Sequence, residues 1–175
     1  MRKITNQELH RPSVEEFAAM RRLPVRVVLD NVRSAQNVGA FFRTADAFAI
    51  EHISLCGITA TPPSKDIHKT ALGAELTVEW GHYDSTLECV KELKAAGYRV
   101  LAIEQVEGAE MAGEWRAERG VRYGLVFGNE VFGVDQAAVD LCDGAIEIPQ
   151  AGTKHSLNVA VSGGVILWEA FRQLR

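Results

Sequence analysis

Short apolar runs alternate with helix-patterned stretches along most of the chain, and this alternation limits the fold more than any other feature. VRVVLD (25–30), ISLCG (53–57), ELTVEW (75–80), YRVLAIE (98–104), YGLVFG (123–128) and GAIEIP (144–149) read as strands. QNVGAFFRTADAF (36–48), STLECVKELKAAG (85–97, closed by Gly97), DQAAVDLC (135–142) and residues 156–174 read as helices. TPPSKD (61–66) reads as a loop and 105–122 as an irregular connection. Such an order predicts an α/β domain with a mainly parallel sheet flanked by helices. Continuous apolar strands such as GLVFG suit burial on both faces. Residues 25–175 are expected to form one domain after a short polar extension, 1–24, in which Ser13 and Glu16 have capping-box spacing.

Charge and cysteine content narrow the function classes. The net charge of the 175 residues is −4, so the molecule as a whole is no generic polyanion binder. The charge is uneven: residues 1–70 carry ten Lys and Arg against seven Asp and Glu, and residues 71–175 carry nine against sixteen. A local basic surface near the N-terminus is therefore open to an otherwise acidic chain. Three widely spaced cysteines (Cys56, Cys89, Cys142) suit a reducing, cytoplasmic setting better than a disulfide framework or zinc site. No apolar leader or membrane-spanning run is visible. The five histidines show no ligand spacing, so no metal is expected. Glycine-rich nucleotide loops and a G-x-S-x-G elbow are missing.

Three polar loops at strand ends carry the chemistry, where open α/β sheets bind ligands. In DNVRSAQNVGAFFRTADAF, Arg43 lies among small residues at helical spacing; the plainer alternative is a solvated Arg43 paired with Asp46, with Asn37 capping the helix. In LVFGNEVFGVD, Gly128 would let a ligand approach the backbone, with Glu130 beside it; the alternative is an ordinary turn capped by Asp135. In GTKHSLNVAVSGG, Ser156 is a plausible helix N-cap, Asn158 brings a polar amide into an apolar segment, and Gly163 and Gly164 suggest close packing. The helix that follows is apolar nearly all round, with Leu157, Val161, Gly164, Trp168 and Phe171 on one side and Val159, Gly163, Ile166 and Ala170 on another. It needs two partners, the domain's own sheet and a second surface.

Taken in order, NVGAFFR (37–43), LVFGNEVFGV with Glu130, and IPQAGTKHSLNVAVSGGVILWE with Ser156 and Asn158 resemble the three motifs of the SpoU (TrmH-like) RNA methyltransferases of the SPOUT superfamily. KTALGAE (69–75) is similar to the family's segment between the first two motifs. The resemblance runs from about residue 25 onward and implies a C-terminal trefoil knot, a homodimer and S-adenosylmethionine as cofactor. It implies methyl transfer to a ribose 2′-hydroxyl of RNA, with tRNA favoured over rRNA. A base-nitrogen methyltransferase or a non-catalytic RNA-binding member is the alternative. By the same resemblance Arg43, Asn37, Glu130, Ser156 and Asn158 form the catalytic set. Gly128, Ile148, Leu157 and Asn158 would hold the cofactor.

Overall fold

The computed structural model describes residues 1–5 and 7–175, and among them seven strands form a single, wholly parallel sheet. The strands are β1 (Leu23–Asp30), β2 (Ile50–Cys56), β3 (Trp80–Tyr83), β4 (Tyr98–Ile103), β5 (Glu110–Met111), β6 (Arg122–Phe127) and β7 (Gly144–Glu147). Their order across the sheet is β3-β2-β1-β6-β4-β7-β5. Six helices cover it: α1 (Val14–Ala19), α2 (Ala35–Ala47), α3 (Lys65–Ala71), α4 (Thr86–Ala95), α5 (Gln136–Leu141) and α6 (Val159–Leu174).

The central strands β1 and β6 pair in register from Val25↔Tyr123 to Leu29↔Phe127. Both are almost fully buried, as expected of parallel strands covered on two faces. One core layer gathers Phe41, Phe42, Ile53, Leu125, Phe127, Ile166 and Leu167, from α2, α6 and the sheet. The other gathers Val28, Val90, Leu93, Val100 and Val126 beneath α4 and α5. Ser13 closes the capping box with Glu16 at the start of α1, as its spacing predicts. Asp135 caps α5 through Ala137 N–H.

Three elements depart from the sequence expectation, one of them β5, a two-residue strand inside the stretch 105–122 that reads as an irregular connection. Residues 75–79 are not a strand: Ala74–Leu76 form a 3₁₀ turn, and β3 starts only at Trp80. The cause is local. Glu75 is buried and accepts from the Gly73 N–H at 3.1 Å while His68 Nδ1 lies 2.5 Å from its carboxylate, so the chain folds back on α3. Helix α3 occupies part of what reads as a loop, and Ser64 caps it through Ile67 N–H.

Helix α6 splits by face. Gly163, Ile166, Leu167 and Ala170 are buried, whereas Val161, Val165 and Trp168 are exposed in i, i+4, i+7 succession. A Cβ at Gly163 would collide with the buried ring of Phe41, so that glycine sets the α2–α6 approach. Gly164 has nothing within 4 Å of its absent Cβ. We expect Gly163→Ala to lower stability: displacing a packed ring costs about 1–3 kcal/mol, against about 1 kcal/mol gained in helix propensity. Thermal melting should show a fall of a few degrees for a chain of this size, and an unchanged or raised Tm would contradict the packing argument.

Candidate active site

Three chain segments converge at the C-terminal ends of β1, β4, β6 and β7, and one carboxylate joins two of them. Glu130 follows β6. Its Oε2 accepts the Arg33 N–H at 2.9 Å, and its Oε1 accepts the Ser34 N–H and the Asn37 Nδ2–H, each at 2.9 Å. Arg33 and Ser34 lead into α2, so the carboxylate sits at the positive end of that helix. Ser34, not Asn37, is the N-cap of α2. Asn37 is thereby free to turn its side chain toward the other segments.

Asn158 brings in the third segment. Its Nδ2–H donates to Asn37 Oδ1 at 3.2 Å, and its Oδ1 accepts the N–H groups of Ala160 and Val161 at 2.9 and 3.3 Å. The N-cap of α6 is therefore Asn158 rather than Ser156, because residues 150–157 form an exposed, irregular segment with bends at 152–155 before the helix begins. Each amide in the chain Asn158→Asn37→Glu130 has its oxygen and nitrogen assigned by what it faces, a donor on one side and an acceptor on the other. One Nδ2 hydrogen of Asn158 is left over.

The loop carrying Glu130 is itself braced. Asn129 and Gly133 exchange N–H to O=C bonds at 2.9 Å in both directions. Asn129 donates from Nδ2 to Asn31 O at 2.8 Å and accepts the Val131 N–H at 2.8 Å. Gly133 has φ +71°, and the Glu104 carboxylate occupies the place its Cβ would take while accepting the Val134 N–H at 2.9 Å. A Cβ on Gly128 would strike the backbone of Gly133 and Val134. The glycine at 128 thus makes room for the chain's own turn, a different reason from the ligand approach expected of it.

A cavity of about 530 Å³ opens at this junction. Ile103, Phe127, Ile146, Ile148 and Leu157 supply apolar walls, and Gly128, Glu130, Ser156 and Asn158 line it as well. Among the described residues no backbone group from Ile148 to Leu157 bonds to another backbone group, which leaves their N–H and C=O groups for a bound molecule. Arg43 is elsewhere. It lies two turns along α2, exposed, in a separate groove, and Asp46 is engaged by Thr77 Oγ1 at 2.8 Å rather than by Arg43. Glu104, Phe127 and His155 also line the site. Phe127 and His155 fall inside the motif stretches LVFGNEVFGV and GTKHSLN and Glu104 closes an apolar strand, but none of the three is among the residues expected at the site from sequence. Among the described residues no three His, Cys, Asp or Glu side chains are placed to hold a metal ion, and no helix is long and apolar enough to cross a membrane.

Partial burial pushes the Glu130 carboxyl up, but the Arg33 and Ser34 amides and Asn37 together outweigh it and hold it below the ordinary carboxylate range. A depressed folded-state value contributes stability above the unfolded pKa of about 4.3. That contribution is lost as pH falls through the lower folded value. Glu130→Gln keeps the shape but sets an NH₂ against donors, and a charge-assisted set of this kind is worth about 1–3 kcal/mol. We expect the variant to melt lower at pH 7 and to lose less further stability than the wild type on acidification below about pH 4. Identical acid profiles for the two proteins would show that the carboxylate does not hold the loop.

The SpoU rRNA Methylase family model matches residues 24–168. The tRNA (guanosine(18)-2′-O)-methyltransferase of Thermus thermophilus is 34% identical over 170 residues, covering 95% of this chain and 84% of that protein. The TrmH/SpoU tRNA modifying enzyme of A. aeolicus superposes with a TM-score of 0.81 at 29% identity, over 91% of this chain and 80% of that one. An AdoMet-bound rRNA methyltransferase from Sinorhizobium meliloti gives a TM-score of 0.81 at 28% identity, over 91% of this chain and 60% of that one. With the family model matched over most of the chain, and Asn37, Glu130 and Asn158 of the three motif stretches hydrogen-bonded to one another, this chain is a member of the SpoU methylase family.

Proposed function

We propose that the protein is an S-adenosylmethionine-dependent RNA methyltransferase that modifies a ribose 2′-hydroxyl, acting in the cytoplasm as a homodimer, with tRNA as the favoured substrate. The observation that carries this reading is the Asn158→Asn37→Glu130 chain, which joins the three motif segments at the mouth of the cavity. The similarity to a tRNA 2′-O-methyltransferase, over 95% of this chain and 84% of that protein, supports the substrate.

The cavity suits the cofactor. Its volume falls within the roughly 300–1,000 Å³ of small-molecule sites. Its apolar walls can enclose a purine ring, and the unspent backbone groups of 148–157 can meet polar edges. Gly128, Ile148, Leu157 and Asn158 would hold it. When bound, the cofactor supplies an electrophilic methyl group on a sulfonium.

The chain's own residues then have to position an oxygen. Asn158 offers its remaining Nδ2–H, and Ser156 offers a hydroxyl with no partner among the described residues, so both can hydrogen-bond the ribose. Glu130 has both oxygens engaged and a depressed pKa, which makes it a positioning group and not the proton acceptor. The guanidinium of Arg43 offers N–H donors and no acceptor, so it is not the proton acceptor either. We read it as a clamp on the phosphate adjoining the target ribose, consistent with its exposed place outside the cavity. The exposed Val161, Val165 and Trp168 form the face on which a second copy would seat.

Nucleoside mass spectrometry of RNA incubated with enzyme and S-adenosylmethionine should reveal a 2′-O-methylated nucleoside; a base-methylated product would overturn the assignment. In the same assay Arg43→Ala should reduce kcat by about 10²–10³, with cofactor affinity near wild type by calorimetry. Turnover within a few-fold of wild type would remove Arg43 from the reaction. Gly164→Leu should leave the protomer folded, since nothing contacts that position within it. It should also shift sedimentation toward the monomer, and a dimer of wild-type stability would place the interface elsewhere.

A further inference from the structure

The chain is acidic overall, yet one groove is not. At the N-terminal edge of the sheet, separate from the cavity, a groove of about 1190 Å³ runs between α1, the start of β1, the ends of α2 and α6, and the turn before β6. Seven arginines line it against one carboxylate, Asp46, so its side chains carry a formal +6 (seven minus one) in a molecule of net −4. Charge so concentrated is not a by-product of composition.

The arginines divide by how they are used. Arg122 is committed to Glu51 and Tyr98, and Arg22 lies over the Phe17 ring at 3.6 Å. Arg11, Arg21, Arg43, Arg119 and Arg175 are exposed, and their side chains have no carboxylate or carbonyl partner among the described residues. The only buried side-chain polar atom left without a partner among the described residues, Nη1 of Arg22, also belongs to this lining. Acceptors are what the groove lacks.

We propose that this groove holds the backbone of the RNA substrate through its phosphates, as a second contact outside the methyl-transfer cavity. The lining has no lysine. Guanidinium forks match phosphate oxygens in pairs and stay charged at any physiological pH. Phe48 and Phe171, half-buried and packed at 5.2 Å, lie between the arginines and offer a floor on which unpaired bases can stack. The groove also exceeds the roughly 300–1,000 Å³ of small-molecule sites. Its position fits a strand that continues past the reaction site. Arg43 is the lining residue of α2 nearest Asn37, about 9 Å of helix rise away, and Arg175 marks the far end, about 26 Å along α6 from Asn158. The proposal rests on the RNA methyltransferase reading only for the identity of the polyanion.

The test uses Arg11, Arg21, Arg119 and Arg175, none of which belongs to the reaction machinery. Binding of the full chain to unfractionated tRNA is measured by filter retention between about 50 and 200 mM salt. Each Arg→Gln change should reduce the slope of log affinity against log salt by about 0.7–0.9, so the quadruple variant should lose roughly three and bind at least tenfold more weakly at low salt. S-adenosylmethionine affinity by calorimetry should not change. The quadruple Arg→Lys variant should keep most of the slope. Should the quadruple Gln variant not fold, Arg119→Gln and Arg175→Gln singly carry the same expectation. Unchanged affinity and slope would overturn the proposal. So would a change confined to the oligomeric state in sedimentation, which would make the groove a subunit contact. If instead the wild type neither binds the cofactor nor methylates RNA while the variants still lose RNA, the groove stands and the methyltransferase reading falls.

Discussion

Glu130 bonds to groups 93 to 97 residues earlier in the chain, and most of the site hangs on those bonds. A carboxylate at the mouth of a cavity is costly to desolvate, and two backbone N–H groups, a side-chain amide and the positive end of α2 compensate for it. The arrangement orients Asn37, and Asn37 orients Asn158. Since Asn158 also caps α6, the long apolar helix begins where the cavity needs a polar group. The helix then fixes its own depth through Gly163 against Phe41. One acidic residue thus couples the ligand-facing loops to the packing of the core.

The two ends of the sheet have different chemistry for a reason rooted in parallel α/β geometry. At the C-terminal ends of the strands, helix N-termini and loop amides converge, which suits a small polar ligand. At the N-terminal ends lie the C-termini of α2 and α6, where cations are favoured by the helix dipole. Arg175 stands at the C-terminus of α6, Arg43 lies one turn before that of α2, and residues 1–24 add Arg11, Arg21 and Arg22. A net-acidic protein can therefore carry a basic groove, because helix dipoles and local clustering set the potential at a surface more than total charge does.

Much of the fold was legible. The alternation of apolar runs and amphipathic stretches located five of the seven strands, because buried parallel strands need unbroken apolar sequence. Residues 75–80 misled because a period-2 pattern does not register that Glu75 is tied to Gly73 and lies against His68. Helix α3 was hidden by its prolines, although Ser64 with Asp66 in the first turn is a start signal. The all-round apolar character of α6 announced two partners, and the structure shows which face meets the sheet and which remains open.

By itself the sequence determined the α/β class, the three polar loops and the residue types each would contribute, since these follow from periodicity, capping chemistry and local motif. It also carried the hint of a basic surface in its first seventy residues. Only the tertiary structure decided that Glu130 holds the approach to α2, that Asn158 rather than Ser156 starts α6, and that Gly128 accommodates its own turn. It alone placed Arg43 in the arginine groove instead of the cavity, and brought Arg119 and Arg175 to the same groove as Arg11 and Arg21. Those outcomes depend on which distant segments the parallel sheet sets side by side. No local pattern encodes that, because strand order is settled by packing the whole core at once.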